Sequence, residues 1–280
     1  MTWHLSHVRP PVGLNDRTME YERIAVRPMA GALGAELSGV DLSEPLDQET
    51  VSEIRRALLD HLVILLPGQD ISSEQQAAFA TGFGVLTTPR DSPPQSDDQP
   101  NSLLITNVKD TGMRTALEKD SMLFHTDGAY FEKPCLATLL YSIEASKTGG
   151  ETLLANCYDA YDALPDEMKL RIDGLTATNA FATDKYNTRV HELEPGMQHF
   201  SHPLAITHNE TGRKALFVSR MLTVFVDGMD ERESNDLLDQ LFDHLERPEF
   251  VCAHKWTPGD LLMWDNRCTM HGRNDFAPDD

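Results

Sequence analysis

The chain has 280 residues, with 24 basic against 45 acidic side chains, a net charge of −21 and 40% hydrophobic residues. That balance supplies too few cations to cover nucleic-acid phosphates or to dock on an anionic bilayer, so neither nucleic acid nor a membrane is expected as a partner. The apolar content suffices for the core of one large domain spanning 1–280, and no apolar run approaches the roughly 20 residues that cross a bilayer.

Residues 1–15 lack the apolar segment and cleavage site of a secretory leader. The four cysteines, Cys135, Cys157, Cys252 and Cys268, form no C-x-x-C pair. Together these features predict a cytoplasmic protein whose thiols are free and packed inside. Val51, Ile54, Leu58 and Leu62 recur at helical spacing over 49–62. The apolar stretch 63–66, stopped by Pro67 and Gly68, follows as a buried strand. Ser72 or Ser73, followed three residues later by Gln75 or Gln76, has the form of a capping box and opens a helix running through Phe79 toward Gly82 and Gly84. Strands are expected at 103–108, 136–143, 152–155, 175–181, 204–207, 215–219, 250–256 and 260–264. Gly149-Gly150, Thr211-Gly212 and Pro258-Gly259-Asp260 supply turns between them. A last amphipathic helix covers 231–246, its stripe of Leu237, Leu238, Leu241, Phe242 and Leu245 facing a core.

Short strands without regular helical crossovers predict a mainly β fold with flanking helices, an antiparallel double-sheet sandwich or jelly roll. A doubly wound parallel sheet would need a helix between successive strands. Residues 87–100 and 183–203 are polar, aperiodic and rich in loop formers, and are read as surface loops able to act as lids.

On an extended segment, residues two apart share a side, so His125 and Asp127 of Phe124-His125-Thr126-Asp127 aim at one point. His271, beyond the apolar strand that ends at Trp264, offers a further ligand. Two imidazoles and one carboxylate on one face of a metal leave three of six octahedral positions open, the arrangement used by non-haem Fe(II) oxygenases. An H-x-D triplet alone is common, and a surface turn with a capping Asp has the same pattern.

The sequence resembles the taurine/2,4-dichlorophenoxyacetate dioxygenases, the TauD/TfdA type, over most of its length. The resemblance is carried by Leu33-Gly34-Ala35-Glu36 with Gly39-Val40-Asp41-Leu42, and by Leu66-Pro67-Gly68-Gln69, where the family usually has Arg before the Gly. In the centre it rests on Phe124-His125-Thr126-Asp127, on Gly149-Gly150-Glu151-Thr152 and on 160–165. Toward the end it rests on Thr211-Gly212-Arg213-Lys214, Gly259-Asp260-Leu261, Trp264-Asp265-Asn266-Arg267 and His271.

The resemblance implies a double-stranded β-helix, a cupin-like jelly roll. It implies Fe(II) held by His125, Asp127 and His271, 2-oxoglutarate as co-substrate with a carboxylate on the Thr152 hydroxyl, and O2 as oxidant. The implied reaction hydroxylates a C–H bond of a small organic molecule and releases succinate and CO2. Asp127 fills the place that a halide would need, so hydroxylation is expected rather than halogenation. In the family an Arg about ten residues after the distal histidine pairs with the far carboxylate. Here only the short tail 272–280 follows, and Arg273, two residues on, is read as too near the ligand to span the co-substrate, so the chain is expected to lack the last strand that carries this Arg, with Arg267 and Arg273 the candidates otherwise. Asn107, Tyr130, Phe131 and Ser219 are candidate substrate contacts. Trp264, Asp265 and Arg267 are read chiefly as supporting groups, Asp265 as one able to hold an imidazole by its second N–H. His61, His199, His202, His208, His244 and His254 are read as surface or internally satisfied residues. A homo-oligomer is compatible with this reading. Two alternatives stand beside it: a cupin-like metal-binding protein or hydrolase using Zn or Mn without 2-oxoglutarate, and a relative that has lost turnover.

Overall fold

The computed structural model of the chain describes residues 21–86, 122–180 and 193–275. The first part contains β1 (Ala25–Pro28), β2 (Ala35–Ser38), α1 (Gln48–His61), β3 (Val63–Leu66) and α2 (Ser73–Thr81). The middle contains β4 (Met122–His125), β5 (Ala137–Tyr141), β6 (Thr152–Asn156), α3 (Cys157–Asp162), α4 (Asp166–Ile172) and β7 (Thr176–Ala180). Next come β8 (His199–Pro203), β9 (Ala205–Thr207), β10 (Lys214–Leu216), β11 (Thr223–Val226) and α5 (Glu231–Leu245). The last strands are β12 (Val251–His254), β13 (Leu261–Asp265) and β14 (Thr269–Arg273).

A five-stranded sheet, β1-β2-β3-β13-β5, faces a four-stranded antiparallel sheet, β12-β6-β14-β4. Trp264 of the first packs on His271 of the second with ring centroids 4.6 Å apart. Only the β2–β3 pair is parallel among the described pairings. Smaller sheets, β11-β7-β8 and β10-β9, extend the structure. This is the jelly roll expected from the strand pattern.

The uninterrupted apolar runs are explained by burial on both faces. Val63, Leu65, Leu262 and Trp264 point into the core between the sheets, which α5 closes with Leu237, Leu238, Leu241, Phe242 and Leu245. Their neighbours Ile64, Leu66, Leu261 and Met263 point the other way, against Ile54 and Leu58 of α1 and Phe79 of α2. Helix α1 passes into β3 through Leu62, a buried non-glycine residue at φ 66° whose N–H bonds the carbonyl of Leu58. The left-handed conformation costs about 1–2 kcal/mol, offset by burial of the leucine in the core. The expected capping box forms on α2 between Ser72 and Gln75. The four cysteines are free, and Cys157, Cys252 and Cys268 are buried. Among the described residues no helix is long and apolar enough to cross a membrane.

The expected strand at 103–108 and the expected lid at 87–100 lie outside the described residues. The loop expected at 183–203 is corrected in part: His199–Pro203 is strand β8, paired antiparallel with β7. Its residues are mostly exposed, so it shows no apolar alternation and is held by the backbone ladder and a Thr178–Ser201 hydroxyl contact of 2.9 Å. Strand β14 likewise has no signature in the apolar pattern, because positions 271 and 273 on one face carry the polar residues of a site.

Gly272 on β14 allows the closest approach of the two histidine-bearing strands. A Cβ there would sit 2.8 Å from the backbone oxygen of Met122 on β4, and backbone cannot swing aside as a side chain can. Gly272→Ala is expected to push β4 from β14 at a cost of about 1–3 kcal/mol. It should weaken divalent-metal binding at the same time, checked by thermal unfolding and a Mn(II) titration on the same sample.

Candidate metal centre

The pairing of β14 with β4 sets His271 opposite His125, and directly opposed residues of an antiparallel pair share a face. The imidazole centroids are 4.1 Å apart. Asp127 lies in the turn just past the end of β4, continued by Gly128 at φ 71°, where a Cβ would meet Cys135 Sγ at 2.9 Å. Its Oδ1 is 3.5 Å from His125 Nε2 and its Oδ2 3.8 Å from His271 Nε2. The two imidazoles are 10% and 12% exposed and the carboxylate 35%, so the group is closed behind and open in front.

The donor chemistry fits a divalent metal. His125 Nδ1 lies 3.0 Å from the carbonyl of Leu123, which can only accept, so Nδ1 carries the proton and the Nε2 lone pair faces the cluster. His271 has its Nδ1 buried without a hydrogen-bond partner among the described residues, and its ring is fixed by Trp264 and His125. Burial and the neighbouring His125 lower the His271 pKa to about 3, against the pull of Asp127, which keeps the ring neutral at physiological pH. Burial lowers His125 too, but Asp127 and the Leu123 carbonyl more than offset it, and its net shift is upward. Burial raises Asp127, yet the two imidazoles and the Thr138 hydroxyl overcome this and hold it well below the usual carboxylate range. An anionic oxygen and two imidazole nitrogens, all within 4.8 Å of one another, form a three-point facial set.

Three side chains stand behind Asp127, Trp264 and Asn266 buried and Thr138 half-buried. Thr138 donates to Asp127 Oδ2 at 2.6 Å, Asn266 Nδ2 donates to Thr138 Oγ1 at 2.9 Å, and Trp264 Nε1 donates to Asn266 Oδ1 at 3.1 Å. No pattern in the sequence singled out Thr138, an ordinary strand residue.

Thr152 lies on β6 in register with Arg273 of β14 and His254 of β12, one row along from His271 and on the same face. Its hydroxyl oxygen accepts from Trp256 Nε1 at 3.0 Å. Trp256 in turn meets His254 edge-on at 4.6 Å, and His254 Nε2 donates to Asp260 at 3.1 Å. Tyr130 and Phe131 continue the Asp127 turn with their rings 4.5 Å apart. Met221 donates its N–H to the carbonyl of Phe124. Ser219, two residues earlier, is buried with a hydroxyl that finds no partner among the described residues. Asn107 lies outside the described residues.

One expectation is corrected and one is met. Arg267 is not available to a co-substrate carboxylate, because Nε and Nη2 grip Asp265 at 2.9 and 2.6 Å and Nη1 reaches Asn209 and Glu210 at 2.8 and 2.6 Å. Asp265 does hold an imidazole, but that of His208, from which it accepts at 3.1 Å, and not that of His271. His208, Asp265 and Cys268 are close enough to suggest a second metal group. However, His208 Nδ1 already accepts from the N–H groups of Glu210 and Thr211, so Nε2 carries the proton given to Asp265. With its lone pair used and Asp265 paired with Arg267, this group is structural.

The family model described as taurine catabolism dioxygenase TauD, TfdA family matches residues 25–280. Pentalenolactone F synthase of Streptomyces avermitilis is 30% identical, over 94% of this chain and 91% of that protein. The alpha-ketoglutarate-dependent 2,4-dichlorophenoxyacetate dioxygenase of Cupriavidus pinatubonensis is 30% identical, over 89% and 91%. A crystal structure of AAD-2 in complex with Mn(II) and N-oxalylglycine superposes with a TM-score of 0.72 at 29% identity, covering 92% of this chain and 93% of that one.

Asp265 yields a stability prediction. Burial raises its pKa, but His208 and Arg267 more than compensate and leave it below the ordinary value. A carboxyl lowered on folding stabilises fully above its unfolded pKa of about 3.9, and that contribution fades as pH falls through the lower folded value. Asp265→Asn weakens two charge-assisted bonds of Arg267, which keeps Glu210, and is expected to cost about 1.5–3 kcal/mol at pH 7. The deficit should shrink as the pH drops below about 4, read from urea unfolding across pH.

Proposed function

This chain belongs to the TauD/TfdA family of dioxygenases, and on that premise we propose that His125, Asp127 and His271 hold one Fe(II) ion. Thr152, with Arg273 in the same row, would take a carboxylate of 2-oxoglutarate. The protein is a 2-oxoglutarate-dependent non-haem dioxygenase of small organic molecules. The observation that carries the ligand assignment is the register of β14 against β4, which opposes the two histidines beside an ionised Asp127. When bound, the iron with 2-oxoglutarate and O2 supplies the conversion of a C–H bond to C–OH, coupled to release of succinate and CO2.

The chain's own residues then have separable tasks. Asp127 brings a single negative charge to a divalent site, and the neutral His271 adds none. Trp256 donates its indole N–H to the Thr152 oxygen, so the hydroxyl proton is left to point elsewhere, as a carboxylate acceptor requires. Arg273 lies two residues beyond His271 on β14, about 6.6 Å along the strand, a distance suited to a five-carbon diacid anchored at the other end by the metal. In this arrangement the cation that the resemblance places farther downstream has a counterpart on the same strand as His271. Tyr130 packs on an apolar cluster of Ala129, Phe217 and Leu222, and Phe131 and Ser219 stand beside its members in the chain. We assign the body of the substrate to this wall, where apolar side chains keep water from the reacting C–H bond. The free cysteines accord with a cytoplasmic setting, and the packing of Trp264 on His271 across the sheets accords with one domain.

Succinate release under Fe(II), ascorbate and O2, across a panel of small carboxylates, sulfonates and sulfate esters, tests the reading. His271→Ala should abolish it while the protein stays folded, and turnover surviving in that variant would remove the triad from the mechanism. A hydrogen bond to a charged group contributes about 1.5–3 kcal/mol. Thr152→Val should accordingly weaken 2-oxoglutarate about 10- to 150-fold with little change in metal affinity, measured by titration under anaerobic conditions.

A further inference from the structure

Asp127 has two oxygens, and a metal that took both would lose one of the three positions that the co-substrate and O2 need. We propose that the chain Trp264–Asn266–Thr138 biases which oxygen is used: Thr138 donates to Oδ2 and draws on its lone pairs, which favours Oδ1 as the metal ligand. The inference rests on the reading of His125, Asp127 and His271 as ligands, and assigns to Thr138 and Asn266 a positioning role.

The direction of each bond is fixed by chemistry. An indole N–H can only donate, so Asn266 must turn its oxygen to Trp264 and its NH2 toward Thr138. An amide NH2 can only donate, so the Thr138 oxygen accepts. The single hydroxyl proton is then left for Asp127 Oδ2, at 2.6 Å. Trp264 and Asn266 are each 1% exposed, so solvent does not compete for the bond between them, which fixes the orientation of the Asn266 amide. The β13–β5 register places Trp264 opposite Thr138, setting the span that the Asn266 side chain bridges. The remaining oxygen, Oδ1, is the one that lies 3.5 Å from His125 Nε2. Trp264 also packs its ring on His271 at 4.6 Å, so one side chain sets the aim of one ligand and the orientation of another.

Mn(II) titration followed by electron paramagnetic resonance tests this without turnover. Thr138→Val keeps the shape and removes the hydroxyl, and should weaken Mn(II) binding about 10- to 100-fold, the usual effect of removing an outer hydrogen bond from a ligand. Thr138→Ser should restore affinity to within a few fold, because it returns the donor, whereas a packing role for the threonine methyl would leave Ser as poor as Val. Asn266→Asp presents two acceptors to Thr138, draws its proton away from Asp127, and should reproduce the loss. Should Thr138→Val not fold, Thr138→Ala compared with Thr138→Ser gives the same contrast. Wild-type affinity in the variants lacking the hydroxyl, or no rescue by serine, overturns the positioning role. Absence of Mn(II) binding by the wild-type protein would instead overturn the ligand assignment itself.

Discussion

A carboxylate placed between two imidazoles and backed by the core must be kept ionised and aimed, and the arrangement of the inner sheets follows from that demand. Burial favours the neutral acid. At Asp127 this is overcome by the imidazoles and by the Thr138 hydroxyl, which donates to Oδ2. Thr138 sits on the five-stranded sheet and the histidines on the four-stranded sheet. The hydrogen bond therefore bridges the jelly roll at the place where the two layers must keep their spacing. A shift of one sheet against the other would break it together with the Trp264–His271 contact.

The segment Trp264-Asp265-Asn266-Arg267, the end of β13 and the start of the turn after it, divides its work between two sides. Trp264 and Asn266 serve the metal side, one stacking on His271 and both leading to Thr138. Asp265 and Arg267 serve the other side: Asp265 takes His208, and Arg267 reaches Glu210, which Arg55 of α1 also grips at 2.9 and 3.0 Å. The metal-side groups are thus backed by an ionic network tying the end of β13 to the turn after β9 and to α1. Buried or half-buried pairs of this kind contribute little net energy relative to apolar packing, and they strongly penalise any arrangement that leaves one partner unpaired. That penalty favours a single conformation of the β13–β14 turn and, through it, of His271.

A similar economy holds on the co-substrate side. Asp260 accepts from His254 and from the N–H of Thr257, His254 meets Trp256 edge-on, and Trp256 donates to Thr152. Both tryptophans act as donor-only groups that fix the polarity of a hydroxyl-bearing neighbourhood. A threonine hydroxyl whose acceptor side is already engaged becomes a directed donor. This is the property that a carboxylate, whether from Asp127 or from a co-substrate, can use.

The amino-acid sequence by itself determined the class of fold and marked His125 and Asp127, because those rest on short-range rules, whereas His271 joined them through the family resemblance. Runs such as 63–66 and 261–264 are apolar on every residue and short enough for a doubly buried strand, and the Ser72–Gln75 box marks a helix start. The close spacing of His125 and Asp127 keeps them within reach of one point, although Asp127 stands in the turn past β4 and not on the extended strand. The partners of those residues were decided only by tertiary structure. The Thr138 bond to Asp127 joins residues whose proximity depends on the β13–β5 register and on the turn after β4. The capture of Arg267 by Asp265 and Glu210 could not be told from availability to a ligand, since charge and position in the chain are the same in both cases. Strands β8 and β14 escaped notice for a related reason. Their positions are chosen for exposure or for the site rather than for a core, so backbone hydrogen bonds to neighbours distant in sequence hold them, and such bonds leave no side-chain period to read.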